Sequence, residues 1–163
     1  MDSMEPKIGI TSQNRRNVIE ILKKLVSDEY VLYTKTRNCH WNVTGPQFND
    51  LHKFFETQYE ELDVIIDDVA ERIRELGSNS IATLTEFSKN ARLKEEPNNY
   101  PDAKTMLGNL LNDQESVIRS LRVDLESCTK YQDAGTADFL TGLMEQHEKM
   151  AWMLRSFVEG RSV

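Results

Sequence analysis

FNDLHKFFETQYEELDVIIDDVAERIREL, Phe48 to Leu76, is the stretch whose reading decides the fold. Phe48, Leu51, Phe55, Tyr59, Leu62, Ile66, Val69, Ile73 and Leu76 recur at intervals of three and four, which predicts one long amphipathic helix with a single apolar stripe. Beside that stripe His52, Glu56, Asp67 and Glu71 fall within a sector of roughly 100°. His52 with Glu56, and Asp67 with Glu71, stand one turn apart as i,i+4 pairs, an arrangement that can offer ligands to a metal. Rise along the helix limits how. Glu56 and Asp67 are separated by about 16 Å of axis, whereas ligands lie about 2 Å from a shared ion. One straight helix therefore cannot bring both pairs to one metal. The numbers of His52 and Glu71, and of Glu56 and Asp67, add to the same total, so a second copy crossing antiparallel near residues 61 and 62 would set each pair against the other. Such a two-fold dimer has two equivalent sites.

Upstream, Val18, Ile21, Leu22, Leu25, Val26, Leu32 and Tyr33 predict a first helix from about Gln13 to Trp41, capped by Thr11 or Ser12. Its far end carries Cys39, His40 and Trp41. Gly45-Pro46 forces a turn, so the first two helices run antiparallel and His40 approaches the start of the second. Residues 1–12 read as a loose tail and 13–163 as one domain. Gly77 ends the long helix. A polar connection follows, with Ile81, Leu84 and Phe87 on a short helix, long enough to cross the bundle and let helices 2 and 3 run parallel. Met106 to Leu125 marks a third long helix, opening at Pro101 and closing near Cys128, and Tyr131 to Gly135 a turn. Thr136 opens the fourth, with Phe139, Leu140, Leu143, Met144, Ala151, Leu154 and Val158 inward. The expected class is all-α: a four-helix bundle with a short helix between helices 2 and 3.

A length of 163 residues suits one core, and 29% charged with 39% hydrophobic residues suits a helical protein rich in surface. No apolar run approaches a membrane span and no leader pattern opens the chain, so the expectation is a cytoplasmic protein with no membrane partner. Cys39 and Cys128 fit free, buried thiols. A net charge of −7 argues against a general nucleic-acid binder and agrees with attraction of cations. Two imidazoles and three carboxylates suit iron, manganese or zinc rather than copper(I). The residues alone leave two readings open, a metal site and a solvated helix face. His147, the third histidine, reads as structural or exposed, without partners.

The ferritin Glu-x-x-His motif is missing, which counts against ligands inside one bundle. In contrast His40-Trp41-Asn42-Val43-Thr44-Gly45-Pro46-Gln47-Phe48, then Leu51-His52, then Asp67-Asp68-Val69-Ala70-Glu71-Arg72 resembles the signature of the Dps-type mini-ferritins, the DNA-binding proteins of starved cells. The likeness runs from the first helix to the Trp152 region. It implies a di-iron ferroxidase centre shared by two subunits, with catalytic and metal ligands His40, His52 and Glu56 from one and Asp67 and Glu71 from its mate. Zinc or manganese could replace iron there. One departure is that Glu56 stands where the family commonly has Asp, so this ligand reaches one methylene further. The resemblance also implies Trp41 packed near the centre as an oxidisable ring, a hollow dodecamer holding ferric mineral, and hydrogen peroxide as oxidant. Acidic pores would pass iron, with Asp138 matching one position and Asp133 a weaker candidate; Thr129 and Ala134 stand where some members have acids. Family DNA binding often rests on a Lys-rich tail. This chain has Lys7 alone there, so weak or absent DNA binding is expected, although a dodecamer could present twelve copies of Arg15 and Arg16 as phosphate contacts. The competing reading is a nucleoid-binding or purely structural helical assembly with a vestigial metal site.

Overall fold

The computed structural model describes residues 5–159; the first residues of the expected tail, 1–4, and the end of the expected domain, 160–163, lie outside the described residues. Five helices make up the regular structure: α1 Ser12–Asn42, α2 Phe48–Glu75, α3 Leu84–Asn90, α4 Ala103–Lys130 and α5 Ala134–Glu159. No strand occurs among the described residues. α1 packs along α2 and α4 along α5, while α1 also touches α3 and α4. The result is an all-α bundle of four long helices with α3 in the long connection.

Each end has a local cause. The Thr11 side chain accepts from the Asn14 backbone N–H and caps α1. α2 ends in a Schellman turn, in which Gly77 N–H donates to the Arg74 carbonyl and Ser78 N–H to that of Ile73. Gly77 has φ +85°, and a Cβ there would meet Pro6 Cδ at 2.6 Å, so both the turn and the contact require glycine. Thr83 and Glu86 form a capping box on α3. Asp102 caps α4, which places Pro101 before the helix, not at its first residue. α5 starts at Ala134, two residues before Thr136, because Asp133 accepts from the Thr136 N–H and caps the helix early.

The core of α2 differs in detail from the expected stripe. Phe54, Gln58 and Ile65 are buried, whereas Phe48 is exposed and Tyr59 and Ile66 are half-buried. The apolar face is wider than one row, and its Phe48–Tyr59 edge turns toward the end of α1. At the centre Leu22, Leu25, Leu32, Phe55, Leu62 and Leu121 are fully buried, each contributing about 1.5–3 kcal/mol. Lys35 meets Asp113 at 2.5 Å near one end of the α1–α4 contact, and Arg92 bridges Asp28 and Asp124 near the other. These ties make α1 and α4 antiparallel, so α2 and α4 run parallel. Asp28 also accepts the backbone N–H groups of Arg92 and Leu93, which straps the long connection to α1.

Candidate metal centre

Gly45, at φ +114°, reverses the chain between α1 and α2 and leaves the last turn of one beside the first turn of the other. His40 and His52 meet there with ring centroids 3.7 Å apart and planes inclined by 20°. Each holds the other's backbone. His40 Nδ1–H donates to the His52 carbonyl at 2.7 Å, and His52 Nδ1–H donates to the His40 carbonyl at 2.8 Å. A carbonyl only accepts, so both Nδ1 atoms carry the proton and both Nε2 atoms keep a lone pair in the neutral ring. Orienting a ligating histidine through its second nitrogen is how proteins prepare imidazole for a metal.

Aromatic rings frame the pair. Phe48 stacks on His52 with centroids 5.2 Å apart, and Tyr59 meets His40 edge-on at 5.2 Å. Tyr59 donates its hydroxyl to Glu56 Oε1 at 3.3 Å, holding the carboxylate one turn beyond His52. Partial burial and the Glu56 carboxylate push the Tyr59 hydroxyl up from its ordinary range, so it stays protonated. Arg37 lies 4.3 Å from the Tyr59 ring centre and 5.1 Å from that of Trp41. Trp41 itself is 65% exposed and rests on Arg37, and it is Tyr59 whose ring touches His40. None of these supporting contacts was anticipated from the sequence. The i,i+3 spacing of Glu56 and Tyr59 was its only visible sign.

Asp67 and Glu71 stand apart from this group. Both are exposed on α2, and Asp67 borders a groove with Val64, Ile66 and Ala70. Among the described residues no three His, Cys, Asp or Glu side chains of one chain come close enough to hold an ion. His40 and His52 are brought together within the chain, and the Asp67/Glu71 pair is not added to them.

Three expectations need correction. Asp133 does not line a pore: it is buried, bonded to the Thr136 N–H and hydroxyl, and paired with Arg72 at 3.3 Å. Its aspartate serves the α4–α5 corner. Asp138 is exposed in a shallow depression that it shares with Thr129 and Ala134. His147 is buried and has partners, Gln114 and Glu29. Arg15 is buried and engaged with Glu5 and the Pro6 carbonyl, and so is not a free phosphate contact. Cys39 and Cys128 are free thiols, both raised by burial to about 12, and hence protonated at neutral pH.

The fold and the paired histidines define a class. A ferritin-like domain model matches residues 19–161, and the chain belongs to the ferritin-like family. It is 48% identical over 157 residues to a low temperature-induced protein of Nostoc sp., covering 96% of this chain and 88% of that protein. It is 39% identical over 144 residues to DNA protection during starvation protein 2 of Bacillus anthracis, covering 88% of this chain and 97% of the relative. The Dps protein of Vibrio cholerae O1, described as a member of a broad superfamily of ferritin-like diiron-carboxylate proteins, superposes with TM-score 0.90 at 28% identity, over 98% of this chain and 100% of that one. Within the ferritin-like family the chain is thus a Dps-type mini-ferritin. No helix among the described residues is long and apolar enough to cross a membrane.

Proposed function

We infer that the protein oxidises Fe(II) with hydrogen peroxide at a centre shared by two subunits and stores the ferric product inside a closed, hollow dodecamer, protecting its cell from oxidative stress. The observation that carries this reading is the reciprocal histidine pair. Its two Nε2 lone pairs are left free by bonds that have no purpose for a solvated helix face. Glu56, steadied by Tyr59, supplies a carboxylate on the same side. Asp67 and Glu71 of the partner subunit complete the set in the antiparallel crossing, and their exposure in the single chain leaves them free to do so. Val64, 61% exposed beside Asp67, is an apolar group for the same interface.

Peroxide takes two electrons. Two ferrous ions, each giving one, cleave the O–O bond and, with two protons taken from water, reduce both oxygens to water without releasing hydroxyl radical. The protein holds the two donors together and excludes competing reactions. Asp138 lies on the iron route inward, a passage less acidic than one built with acids at Thr129 and Ala134. DNA is bound weakly or not at all, since Arg15 is engaged within the chain and the net charge is −7.

The test is iron loading with peroxide, followed by ferric absorbance. The His52→Ala, Asp67→Ala double variant should lose oxidation while keeping its fold; a variant as fast as wild type would sink the ferroxidase reading. A gel shift with plasmid DNA at ~100 mM salt checks the second claim, since complete retention would contradict it.

A further inference from the structure

Helical period sets Arg37 beside the paired histidines. Tyr33, Arg37 and Trp41 stand one turn apart on one face of α1. The guanidinium carbon of Arg37 lies 4.3 Å from the centre of the Tyr59 ring on α2, 5.1 Å from that of Trp41 and 5.5 Å from that of Tyr33. Its Nη1–H donates to the Tyr33 hydroxyl at 3.0 Å. Among the described residues no carboxylate pairs with it. The arginine is committed to aromatic rings and a phenol, an arrangement in which a planar cation stacks and bonds at once and a lysine ammonium cannot.

Three side chains of α1 hold the Tyr59 ring. Arg37 lies over its face, while Tyr33 and His40 meet it edge-on, with centroids 6.0 and 5.2 Å away and planes inclined by 85° and 80°. The ring carries the hydroxyl that donates to Glu56 Oε1 at 3.3 Å. Glu56 has one more torsion than an aspartate would have, so its carboxylate samples more positions unless a neighbour selects one. That selection runs from Arg37 through the ring and hydroxyl of Tyr59 to the carboxylate. The bond to Tyr33 anchors the guanidinium at its other end, so that it does not follow the Tyr59 ring when the ring turns.

We propose that Arg37 is a positioning residue of the metal centre: its guanidinium clamps Tyr59 against His40, and the clamped phenol sets Glu56 one turn beyond His52. The clamp rests on the reading of His40, His52 and Glu56 as metal ligands, and it does not require that the bound metal be oxidised. Arg37 acts through Tyr59 and not by contact with the ion. Its removal loosens Glu56 and leaves in place the reciprocal bonds that orient the two imidazoles.

Titration of the full-length protein with cobalt(II), followed by ligand-field absorption, reads the centre without oxidation. Arg37→Gln should weaken cobalt binding ~10-fold, on the scale of outer-shell substitutions. The loss passes through the phenol, so in Tyr59→Phe protein the same substitution should cost nothing more, whereas a general loosening of the fold would multiply the two losses. Arg37→Lys keeps the charge and lacks the planar fork, and should not restore wild-type binding; it serves also where the glutamine variant fails to fold. Wild-type affinity in Arg37→Gln or Arg37→Lys, losses that multiply in the double variant, or a wild-type protein that takes up no cobalt would each overturn the clamp. Iron oxidation by the wild-type protein separates the two claims. Cobalt binding with the expected pattern but Fe(II) left unoxidised keeps the clamp and removes the ferroxidase reading, while rapid iron oxidation with unaltered cobalt affinity in Arg37→Gln does the reverse.

Discussion

His40 and His52 each use Nδ1 on a backbone carbonyl of the other's helix, so one contact both closes the α1–α2 corner and sets the direction of two Nε2 atoms. Glu56 is held more lightly, by one phenol. Tyr59→Phe should therefore leave the fold intact and weaken metal binding at the paired histidines, by ~10-fold on the scale of outer-shell substitutions, as read by titration with a non-oxidising divalent ion. The thiols give a second residue-level expectation. With Cys39 and Cys128 raised to about 12 by burial, both should resist an aromatic disulfide reagent at neutral pH and react only on unfolding, by roughly 100-fold or more in rate. Rapid labelling of native protein would contradict their burial. Glu56 was legible in the sequence because i,i+4 spacing exposes a shared helix face. Tyr59 as its support was not, because periodicity assigns an aromatic ring to the core before it can assign its hydroxyl.

Helix ends carry the element-scale expectations. Gly77 combines a left-handed backbone with the close approach of Pro6, so Gly77→Ala should lower stability by more than about 1 kcal/mol in chemical denaturation. Asp102 and Glu86 are held below their ordinary carboxylate range, the first by the Thr105 backbone N–H and the second by the Thr83 hydroxyl. A depressed folded value means that their capping contribution is fully present above the unfolded carboxylate value and is lost as pH falls through the folded one. Asp102→Asn keeps a cap that does not titrate, so the acid-side fall of the thermal midpoint should become shallower. The helices were legible from spacing and cap residues. The α5 start was displaced from Thr136 to Ala134 because Asp133 is drawn into the corner by Arg72, a residue distant in sequence.

At the scale of the whole molecule, the proposed centre needs Asp67 and Glu71 from a second copy, and Val64, 61% exposed, stands within three residues of the proposed crossing near residues 61 and 62. Val64→Glu adds charge among the acidic residues of that face and should shift the assembly toward single chains, measured by sedimentation. Iron oxidation should fall with the same variant, since two of the five proposed ligands would go with the partner. An assembly of unchanged mass would place the interface elsewhere. The interior acts at this scale too: Glu29 and His147 lie 118 residues apart in sequence yet 3.0 Å apart in the bundle. No spacing rule connects them, and His147 therefore looked partnerless on its own helix.

Sequence alone determined the helical class, the reversal at Gly45-Pro46, the approach of His40 to His52, and that one straight helix cannot join Glu56 with Asp67. These follow from helical period, rise per residue and turn chemistry, which are local. Tertiary structure decided the reciprocal bonds that orient both imidazoles, the transfer of Asp133 from pore candidate to helix cap, and the burial of His147 against Glu29. Each depends on which side chains different helices bring together, and burial then obliges their polar atoms to find one another.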